Sequence, residues 1–334
     1  MTALGFDLRQ EAVLRTLTAD VLKSSEIEGE KLDAKQVRSS IARRMGIEIS
    51  DLKPQDRNVE GVVEMMLDAT RKYNKPLTVE RLQDWHAALF PTGRSGMRKI
   101  KAGKWRNDKK GPMQVVSGAI GKERVHFEAV PAARMPIEMT AFLDWFNRRA
   151  DTDEVLHAAQ AHLWFVTIHP FDDGNGRIAR AIADMALARS EKSPQRFYSM
   201  STQIRQERDA YYEALETTQK ASMDVTAWIE WFLGCLSRAI DGASSTLSEV
   251  LAKARFWESV KGTALNERQT LVLNRLLDGF EGKLTTSKYA KLAKCSRDTA
   301  LRDILALVER GIVKRGPEKG RSTSYMLMGL PSAS

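Results

Sequence analysis

The sequence predicts a mainly α-helical protein with one short β-hairpin near its middle and a small, basic unit of helices and strands at its C-terminus. Three observations support this prediction. Apolar residues recur near a 3.6-residue period through most of the chain. Between Pro91 and Pro131 this period gives way to glycine-rich and β-branched stretches. Residues 283–321 contain eleven Lys or Arg and four Asp or Glu, so the end of the chain is strongly basic.

The helical period begins close to the N-terminus. Five apolar residues share one face of the first predicted helix: Val13, Leu14, Leu17, Val21 and Leu22. This helix is predicted to span about residues 10–29 and to end at Gly29. The same period predicts further helices over segments 34–48, 59–73, 78–90, 135–149, 155–169, 177–190, 206–220 and 225–243.

The remaining segments complete the predicted organisation. The stretch MQVVSGAIGKERVHFEAV, residues 113–130, predicts a hairpin with a glycine-bearing turn. Three helices over 266–280, 285–295 and 296–311 are followed by two short strands within 312–328. The chain is therefore expected to divide into an N-terminal helical region (1–75), a helical core (76–245), a connector helix (246–262) and a C-terminal domain (263–330).

The length predicts two domains, with three as the alternative, and the composition favours a soluble, cytoplasmic protein. The chain has 334 residues, 43% of them hydrophobic, which is enough for ordinary cores. No apolar run has membrane-spanning length, and the first residues, MTALGFDLRQ, lack the apolar region of a signal peptide. Cys235 and Cys295 lie too far apart in sequence to suggest a metal site, and we expect no disulfide framework.

The segment HPFDDGNGRIAR, residues 169–180, interrupts an apolar helix and starts another. Because Pro170 disfavours a helical conformation at the preceding residue, the imidazole of His169 is expected at a helix end that faces a loop. The pKa range of histidine suits a general base. For a histidine taken alone, a structural role with a satisfied hydrogen bond is the simpler interpretation.

The residues that follow His169 are typical of a phosphate site. An aspartate beside phosphates is a natural Mg²⁺ ligand because the ion prefers oxygen, although Asp172-Asp173 alone is also typical of a turn. Residues 174–176 allow backbone N–H groups to contact an anion where a helix begins. Arg177 and Arg180 oppose the helix dipole unless a polyanion binds there. Together the segment predicts magnesium-dependent chemistry on a nucleotide phosphate.

These twelve residues resemble the signature of the Fic family, HPFx[DE]GNGRxxR, and match it at every fixed position. The resemblance covers roughly residues 15–245. It implies a Fic-type helical core with a β-hairpin flap. It also implies transfer of AMP from ATP to a Ser, Thr or Tyr hydroxyl of a target protein or of the enzyme itself, with Mg²⁺ as cofactor. Homodimerisation is a common habit of the family.

The resemblance assigns a role to each motif residue. His169 would activate the target hydroxyl, and Asp173 would hold Mg²⁺ on the phosphates. Five residues would bind or support the phosphates: Gly174, Asn175, Gly176, Arg177 and Arg180. Relatives that transfer phosphate from an inverted nucleotide tend to carry lysine at the position of Gly176. Glycine there favours AMP transfer.

Two further segments resemble parts of the Fic nucleotide site. The stretch QVVSG resembles the start of the flap, which lies over the nucleotide and aligns the target by main-chain pairing. Its candidate residues are Val115, Val116, Ser117 and Gly118. The stretch YYEALETTQ resembles the adenine-side helix, with Tyr211, Tyr212 and Gln219 as candidates, although some relatives carry asparagine at the last position. The alternatives are an ordinary surface hairpin and aromatic core residues.

The stretch SSEIEGE, residues 24–30, fits the family's inhibitory pattern [ST]xxxE[GN] through Ser24, Glu28 and Gly29. Its position ahead of the core resembles the subclass with an N-terminal inhibitory helix. Glu28 is predicted to form a bidentate pair with Arg180, which would withdraw the cation that the terminal phosphate needs. The alternative is a solvated helix carboxylate. In some relatives this glutamate also supports removal of AMP, and the sequence leaves that direction open here.

The C-terminal segment resembles a winged helix-turn-helix. The second helix would span Thr286 to Ala293, the recognition helix Ser296 to Glu309, and the wing Ile312 to Leu327. Arg297, Thr299 and Arg302 are expected to contact DNA in the major groove. The residues expected to contact phosphates are Arg310, Lys314, Arg315, Lys319 and Arg321. Because appended winged helices also bind proteins or serve as dimer platforms, those functions remain alternatives.

Two other functions are compatible with parts of the sequence. The Fic-like core would be a nucleotide sensor if the chain were a DNA-binding transcription regulator. A metallohydrolase would use His162 and His169 with an aspartate, but no third ligand has suitable spacing. His86, His126 and His157 lack a motif and are interpreted as structural.

Overall fold

The computed structural model describes residues 8–49, 52–109, 111–117, 124–148, 153–220, 223–277, 280, 282–316 and 323–328. Residues 9–246 form one compact unit, and the chain from residue 247 onward belongs to a second. The predicted mainly α fold is confirmed, whereas the predicted domain boundaries stay predictions.

Helices dominate the first unit. In chain order they are α1 (Leu8–Ile27), α2 (Ala34–Met45), α3 (Arg57–Arg71), α4 (Val79–Leu89), α5 (Met135–Asn147), α6 (Glu154–Ile168), α7 (Asn175–Ser190), α8 (Met200–Gln206), α9 (Arg208–Lys220) and α10 (Thr226–Ser259), which continues past residue 246. In the part of the chain that the structure describes, no helix is both long and apolar enough to cross a bilayer.

Local sequence signals explain where several helices begin and end. Short polar side chains accept backbone N–H bonds at the starts of four helices, α2, α3, α4 and α6: Asp33, Asp56, Thr78 and Asp153. Helix α2 ends at Gly46, whose left-handed conformation suits a residue without Cβ. Helix α6 ends at Ile168. This end is expected because the next residue, His169, precedes Pro170, and proline disfavours a helical conformation at the residue before it.

Helix α7 lies at the centre of the core. Every residue from Arg177 to Ala188 is buried, and α7 packs against α3, α4 and α6. A helix that is buried on all sides must be apolar or small nearly all round, which accounts for the alanines along its length. The second half of the segment 169–180 therefore lies on a closely packed, buried helix.

Short antiparallel strand pairs border this helical core. Strands β1 (Arg94–Ser95) and β2 (Arg98–Lys99) form a small hairpin. Strands β3 (Gln114–Ser117) and β4 (Arg124–Glu128) pair with Gln114 opposite Glu128, so the predicted hairpin over 113–130 is present as two strands. The connection between them, which includes Gly118, lies outside the described residues.

A buried ion cluster joins α1 to α7. The Arg196 guanidinium lies 2.5 Å from Asp184 Oδ1 on α7 and 3.6 Å from Asp20 Oδ2 on α1. The Ser199 hydroxyl donates to Asp20 Oδ1 at 2.6 Å. All three charged side chains are buried, and burial raises the pKa of Asp184 although Arg196 opposes that shift. One guanidinium thus balances two carboxylates between the two helices.

Replacement of Arg196 by methionine is expected to lower the free energy of unfolding by about 3–5 kcal/mol at pH 8, because two buried carboxylates lose their cation. A raised folded-state pKa means that the folded protein binds more protons than the unfolded chain, so this carboxylate's contribution weakens as the pH rises above its unfolded pKa. At pH 5, Asp184 is protonated in the folded protein and needs no cation, because its pKa is raised to about 7. The loss of unfolding free energy should therefore be smaller at pH 5 than at pH 8. Urea unfolding followed by tryptophan fluorescence measures both values.

The control is Arg205→Met, which removes a half-exposed guanidinium 3.7 Å from Glu26. It is expected to change the unfolding free energy by less than about 1 kcal/mol. An Arg196→Met loss equal at the two pH values, or no loss at all, would contradict the balance described for the cluster.

The second unit contains helices and one strand pair. They are α11 (Glu267–Leu277), α12 (Thr286–Leu292), α13 (Arg297–Glu309), β5 (Val313–Arg315) and β6 (Tyr325–Leu327). Its core includes Leu273, Tyr289 and Ile304. The Ser296 hydroxyl accepts from Thr299 N at 3.1 Å and so caps α13. Residues 317–322 of the predicted wing lie outside the described residues, and the winged-helix assignment stays a prediction.

Candidate active site

His169 lies immediately after α6 in a left-handed conformation, with φ 52° and ψ 59°. Its Nδ1 lies 3.2 Å from the carbonyl oxygen of Val166. Because a carbonyl only accepts hydrogen bonds, Nδ1 carries the proton and Nε2 is the basic nitrogen. Burial lowers the pKa of His169, so the imidazole is neutral at pH 7. The residue therefore has the tautomer and charge of a general base.

Arg106 fixes the backbone of the loop after His169. Its Nε donates to the His169 carbonyl at 2.7 Å, and its backbone N–H donates to the Pro170 carbonyl at 3.0 Å. Its Nη1 pairs with Asp108 Oδ1 at 2.8 Å. Sequence analysis missed this role because Arg106 lies 63 residues earlier in a basic stretch. No local pattern distinguishes it from its exposed neighbours.

The two aspartates of the motif have different surroundings. Asp172 Oδ2 accepts from Lys101 N at 3.1 Å, so this carboxylate secures the loop. Asp173 Oδ1 accepts from Gly174 N at 2.6 Å, and Asp173 Oδ2 accepts from the Ser95 hydroxyl. Each carboxylate oxygen has a second lone pair, so the Asp173 donor set fits a magnesium ion whose other ligands are phosphates and water.

The described residues form no other candidate metal centre. Among the described residues, no group of three or more His, Cys, Asp and Glu side chains is arranged to hold a metal ion. His162, the other histidine of the metallohydrolase alternative, is buried with its Nε2 3.0 Å from the Tyr211 hydroxyl. Burial lowers the pKa of His162 to about 3, and its ring packs against Trp228. His162 therefore belongs to the core.

The start of α7 is shaped for close approach by an anion. Gly174 has φ 78°, and a Cβ there would lie 2.9 Å from the Phe90 ring, so only glycine fits. The Asn175 side chain exchanges two 2.9 Å hydrogen bonds with the Phe171 backbone and fixes the turn. The N–H groups that follow point out of the helix N-terminus, where the dipole favours negative charge.

Glu28 places its carboxylate at this helix start. Its Oε1 lies 2.8 Å from Arg180 Nη2, and a Cβ on Gly176 would lie 2.2 Å from the same oxygen. The predicted Glu28–Arg180 pair is therefore present, but the prediction of a bidentate pair is wrong. Arg180 Nε instead donates to Ser24 Oγ at 3.0 Å, because Ser24 lies one helical turn before Glu28.

The remaining nitrogen of Arg180 provides a test of whether a phosphate fits. Arg180 Nη1 is buried and, within the described part of the chain, has no hydrogen-bond partner. A buried guanidinium nitrogen without a partner is costly. An anion at the α7 N-terminus would satisfy it, so the residues present fit a nucleotide phosphate.

A second carboxylate pairs with the other motif arginine. Glu30 Oε2 lies 2.5 Å from Arg177 Nη1, and the Arg177 guanidinium lies 5.0 Å from the centre of the Phe90 ring. Sequence analysis missed Glu30, although it is the last residue of the SSEIEGE stretch. Gly29 has φ 82° and makes the turn between the two glutamates. Both motif arginines are therefore neutralised from the end of α1.

Glu28, His169 and Gly176 border a cleft of about 820 Å³, which is within the usual range for small-molecule sites. Five predicted residues of the motif are not among the residues that line it: Asp173, Gly174, Asn175, Arg177 and Arg180. Predicted residues that line it are Glu28, Val115, Val116, His169, Gly176, Tyr211, Tyr212 and Gln219. The side chain of Ser117 and the whole of Gly118 lie outside the description. The structure thus brings the predicted base, flap, adenine-side and regulatory residues to one cleft.

The adenine-side candidates differ in exposure. Tyr211 is almost wholly buried, and its hydroxyl contacts His162, so it is largely a core residue. Tyr212 is half-buried, with the Arg208 guanidinium 4.8 Å from its ring centre. Gln219 Nε2 donates to Thr167 Oγ1 at 3.1 Å. Tyr212 is therefore better placed than Tyr211 to contact a bound base.

Glu216 on α9 holds the flap against this side of the cleft. It accepts from Arg124 at 2.8 Å and contacts His126 Nδ1 at 2.6 Å, both on β4, and it pairs with Lys220 at 2.5 Å. Hydrogen bonds from Lys220, His126 and Arg124 lower the pKa of Glu216. Sequence analysis missed this residue because its partners lie on a strand some ninety positions away.

The segment 169–180 lies in the part of the chain that matches the model of a known family. Residues 76–187 match the model of the Fic/DOC family, and residues 1–47 match a domain of unknown function, DUF4172. A protein from Culex quinquefasciatus named protein adenylyltransferase Fic is 26% identical over 262 residues, which is 75% of this chain and 46% of that protein. A protein of the same name from Nematostella vectensis is 37% identical over 128 residues, 35% of this chain and 27% of that protein. The chain thus spans less than half the length of these relatives.

Solved structures share the fold. A Fic family protein from Desulfovibrio desulfuricans G20 superposes with a TM-score of 0.54 at 21% identity, covering 97% of this chain and 89% of that one. A Fic-domain signalling protein from Bacteroides thetaiotaomicron superposes with a TM-score of 0.51 at 21% identity, covering 70% and 87%. The matched segment, the named relatives and this likeness of fold together support a Fic-family protein.

Proposed function

We propose that the chain transfers AMP from ATP to a hydroxyl side chain of a target protein. One observation carries the proposal: His169, Gly176 at the start of α7 and strand β3 of the flap border a single cleft. Relatives named protein adenylyltransferase support AMP transfer at the level of the family. Glycine at position 176 leaves room at the helix start.

The proposed reaction follows from the roles of these groups. Nε2 of His169 takes the proton of the target hydroxyl as its oxygen attacks the α-phosphorus of ATP. The bond to the β-phosphate breaks, and pyrophosphate leaves. The N–H groups of residues 174–176 and the Arg180 guanidinium bind phosphate oxygens. Asp173 would hold Mg²⁺, which neutralises phosphate charge when bound.

We propose that Glu28 inhibits this reaction by occupying Arg180. The carboxylate lies 2.8 Å from Nη2, and the Ser24 carbonyl and hydroxyl hold the same guanidinium at 2.9 and 3.0 Å. ATP that enters the cleft meets a neutralised Arg180 and binds unproductively or not at all. Glu28 would also position a water molecule that removes AMP from a modified protein. Whether AMP addition or AMP removal dominates is measured by gain or loss of label on AMP-labelled protein.

The reaction class is tested by parallel incubation of the Glu28→Gly protein and a bacterial lysate with α-labelled and γ-labelled ATP. Label from the α-phosphate, and none from the γ-phosphate, is expected on protein. Label from the γ-phosphate would indicate phosphate transfer instead. Absence of both labels, with ATP bound, would favour a sensor.

The second candidate function is a nucleotide sensor coupled to a DNA-binding regulator. The observation that favours it is the group of exposed cations on α13 and β5: Arg297, Arg302, Lys314 and Arg315. Thr299, the remaining candidate for base contact, donates its backbone N–H to Ser296 and is half-buried.

If this surface binds DNA, the chain should bind random duplex at low salt, and affinity should fall steeply as salt rises, because counterions are released from phosphates. The triple change Arg297→Gln, Arg302→Gln and Lys314→Gln should weaken binding roughly tenfold at low salt. Fluorescence anisotropy of a labelled duplex measures it. No binding by the unmodified chain at low salt would reject this candidate.

A further inference from the structure

We propose that a basic strip beside the catalytic loop docks an acidic segment of the target protein. The strip consists of six exposed cations: Arg94, Arg98, Lys99, Lys101, Lys104 and Lys109. This inference rests on the proposed AMP transfer to proteins and deepens it, since it specifies the chemistry that the target presents next to its modified hydroxyl.

The strip concentrates positive charge. Residues 94–109 contain seven Lys or Arg and a single acid, Asp108. Asp108 pairs with the buried Arg106, so it does not neutralise the exposed side chains. Among the described residues, no ion pair joins any of the six exposed cations to a carboxylate. Like charges at this density repel one another, and an acidic partner relieves that repulsion.

The other face of the same segment is fastened to the catalytic loop. The Ser95 hydroxyl donates to Asp173, and Lys101 donates its backbone N–H to Asp172 Oδ2. Trp105 packs against Phe171, with ring centres 4.7 Å apart. Together with Arg106, these inward groups leave the lysine ammonium groups in solvent. A partner on the strip therefore lies beside the residues that would act on ATP.

The position of the strip selects a protein partner. The C-terminal end of the strip is joined to the segment that follows β4, because Ala132 N donates to Asp108 Oδ2 at 2.6 Å. We place the flanking residues of a target segment that pairs with β3, with its hydroxyl at His169, beside this surface. Carboxylates flanking the hydroxyl then meet the lysines. Exposed pairs of this kind speed association and select partners, and they weaken with salt.

The test uses three fluorescent probes and the full chain without nucleotide. The first probe is a peptide with one threonine followed by a run of glutamates. The second has glutamines in their place, and the third is a DNA duplex. Anisotropy at low salt is compared for the unmodified chain, the strip variant Lys99→Gln, Lys104→Gln and Lys109→Gln, and a control variant. The control, Lys35→Gln, Lys75→Gln and Lys192→Gln, removes three exposed lysines outside the strip.

The glutamate peptide should bind more tightly than the glutamine peptide, and the strip variant should lose roughly tenfold in affinity for it, since each exposed charge pair contributes modestly. The control variant should bind as the unmodified chain does. Equal binding by the strip and control variants overturns the proposal. A strip variant that loses affinity for duplex but not for the peptide overturns it in favour of nucleic acid.

The results distinguish failure of the docking proposal from failure of the proposed AMP transfer. Protein labelling from α-labelled ATP without strip-dependent peptide binding removes the docking surface and leaves the enzyme. Strip-dependent binding with no transfer to any protein removes the proposed function. In the Glu28→Gly background, the strip variant should raise KM for the glutamate peptide roughly tenfold and leave kcat unchanged, as expected for lost docking alone.

Discussion

The Glu28→Gly protein should label itself from α-labelled ATP roughly 10- to 100-fold faster than the unmodified chain. The change removes the carboxylate that lies 2.8 Å from Arg180 Nη2 and returns the guanidinium to the phosphates. A hydrogen bond between charged groups contributes about 1.5–3 kcal/mol, which corresponds to that range of rates. The initial rate of protein labelling with ATP and Mg²⁺ measures the effect.

Glu26→Gly provides the matched control. It places the same flexible residue near the end of α1 but leaves the Glu28–Arg180 contact intact, since Glu26 pairs with Lys23 instead. Its labelling rate should equal that of the unmodified chain. Equal rates for Glu28→Gly and Glu26→Gly would show that Glu28 does not restrain the reaction.

Replacement of His169 by alanine in the Glu28→Gly background should reduce transfer by about 10²- to 10⁴-fold, the usual contribution of a general base. ATP binding, measured by calorimetry, should persist because His169 acts on the hydroxyl and not on the nucleotide. Loss of ATP binding together with transfer would indicate a structural role. Transfer at the unreduced rate would exclude His169 as the base.

The pH dependence of AMP transfer shows whether the neutral or the protonated form of the His169 imidazole is active. Because burial lowers the pKa of His169, the neutral form dominates at pH 7 and above. Transfer by Glu28→Gly should therefore stay constant from about pH 7 to 8 and fall only below about pH 6.5, the ordinary value for histidine. Transfer that rises as the pH falls below this value would show that the protonated form is active.

The motif could be predicted from sequence because its residues are contiguous. Pro170 ends a helix, and Gly174 is required beside Phe90, so the order of residues fixes much of the local geometry. The pairing of Glu28 with Arg180 was predictable in kind because both belong to short patterns. That only one hydrogen bond joins Glu28 to Arg180 was not predictable, because it depends on how Ser24 and α1 pack against α7.

The missed residues act across long sequence separations. Arg106 supports the backbone of His169 from 63 positions away, and Glu216 on α9 holds β4 from 92 positions away. The Asp20–Arg196–Asp184 cluster joins helices that sequence periodicity treats independently. Such contacts arise from tertiary packing, which no local spacing encodes. Glu30 is the exception, because it stood in a stretch already singled out.

A crystal structure of the Glu28→Gly protein with Mg²⁺ and a non-hydrolysable ATP analogue tests the central claim most directly. The account predicts phosphates against the N–H groups of residues 174–176, a phosphate oxygen on Arg180, and the α-phosphorus facing Nε2 of His169. A nucleotide bound elsewhere, or one whose phosphates avoid the start of α7, would contradict it.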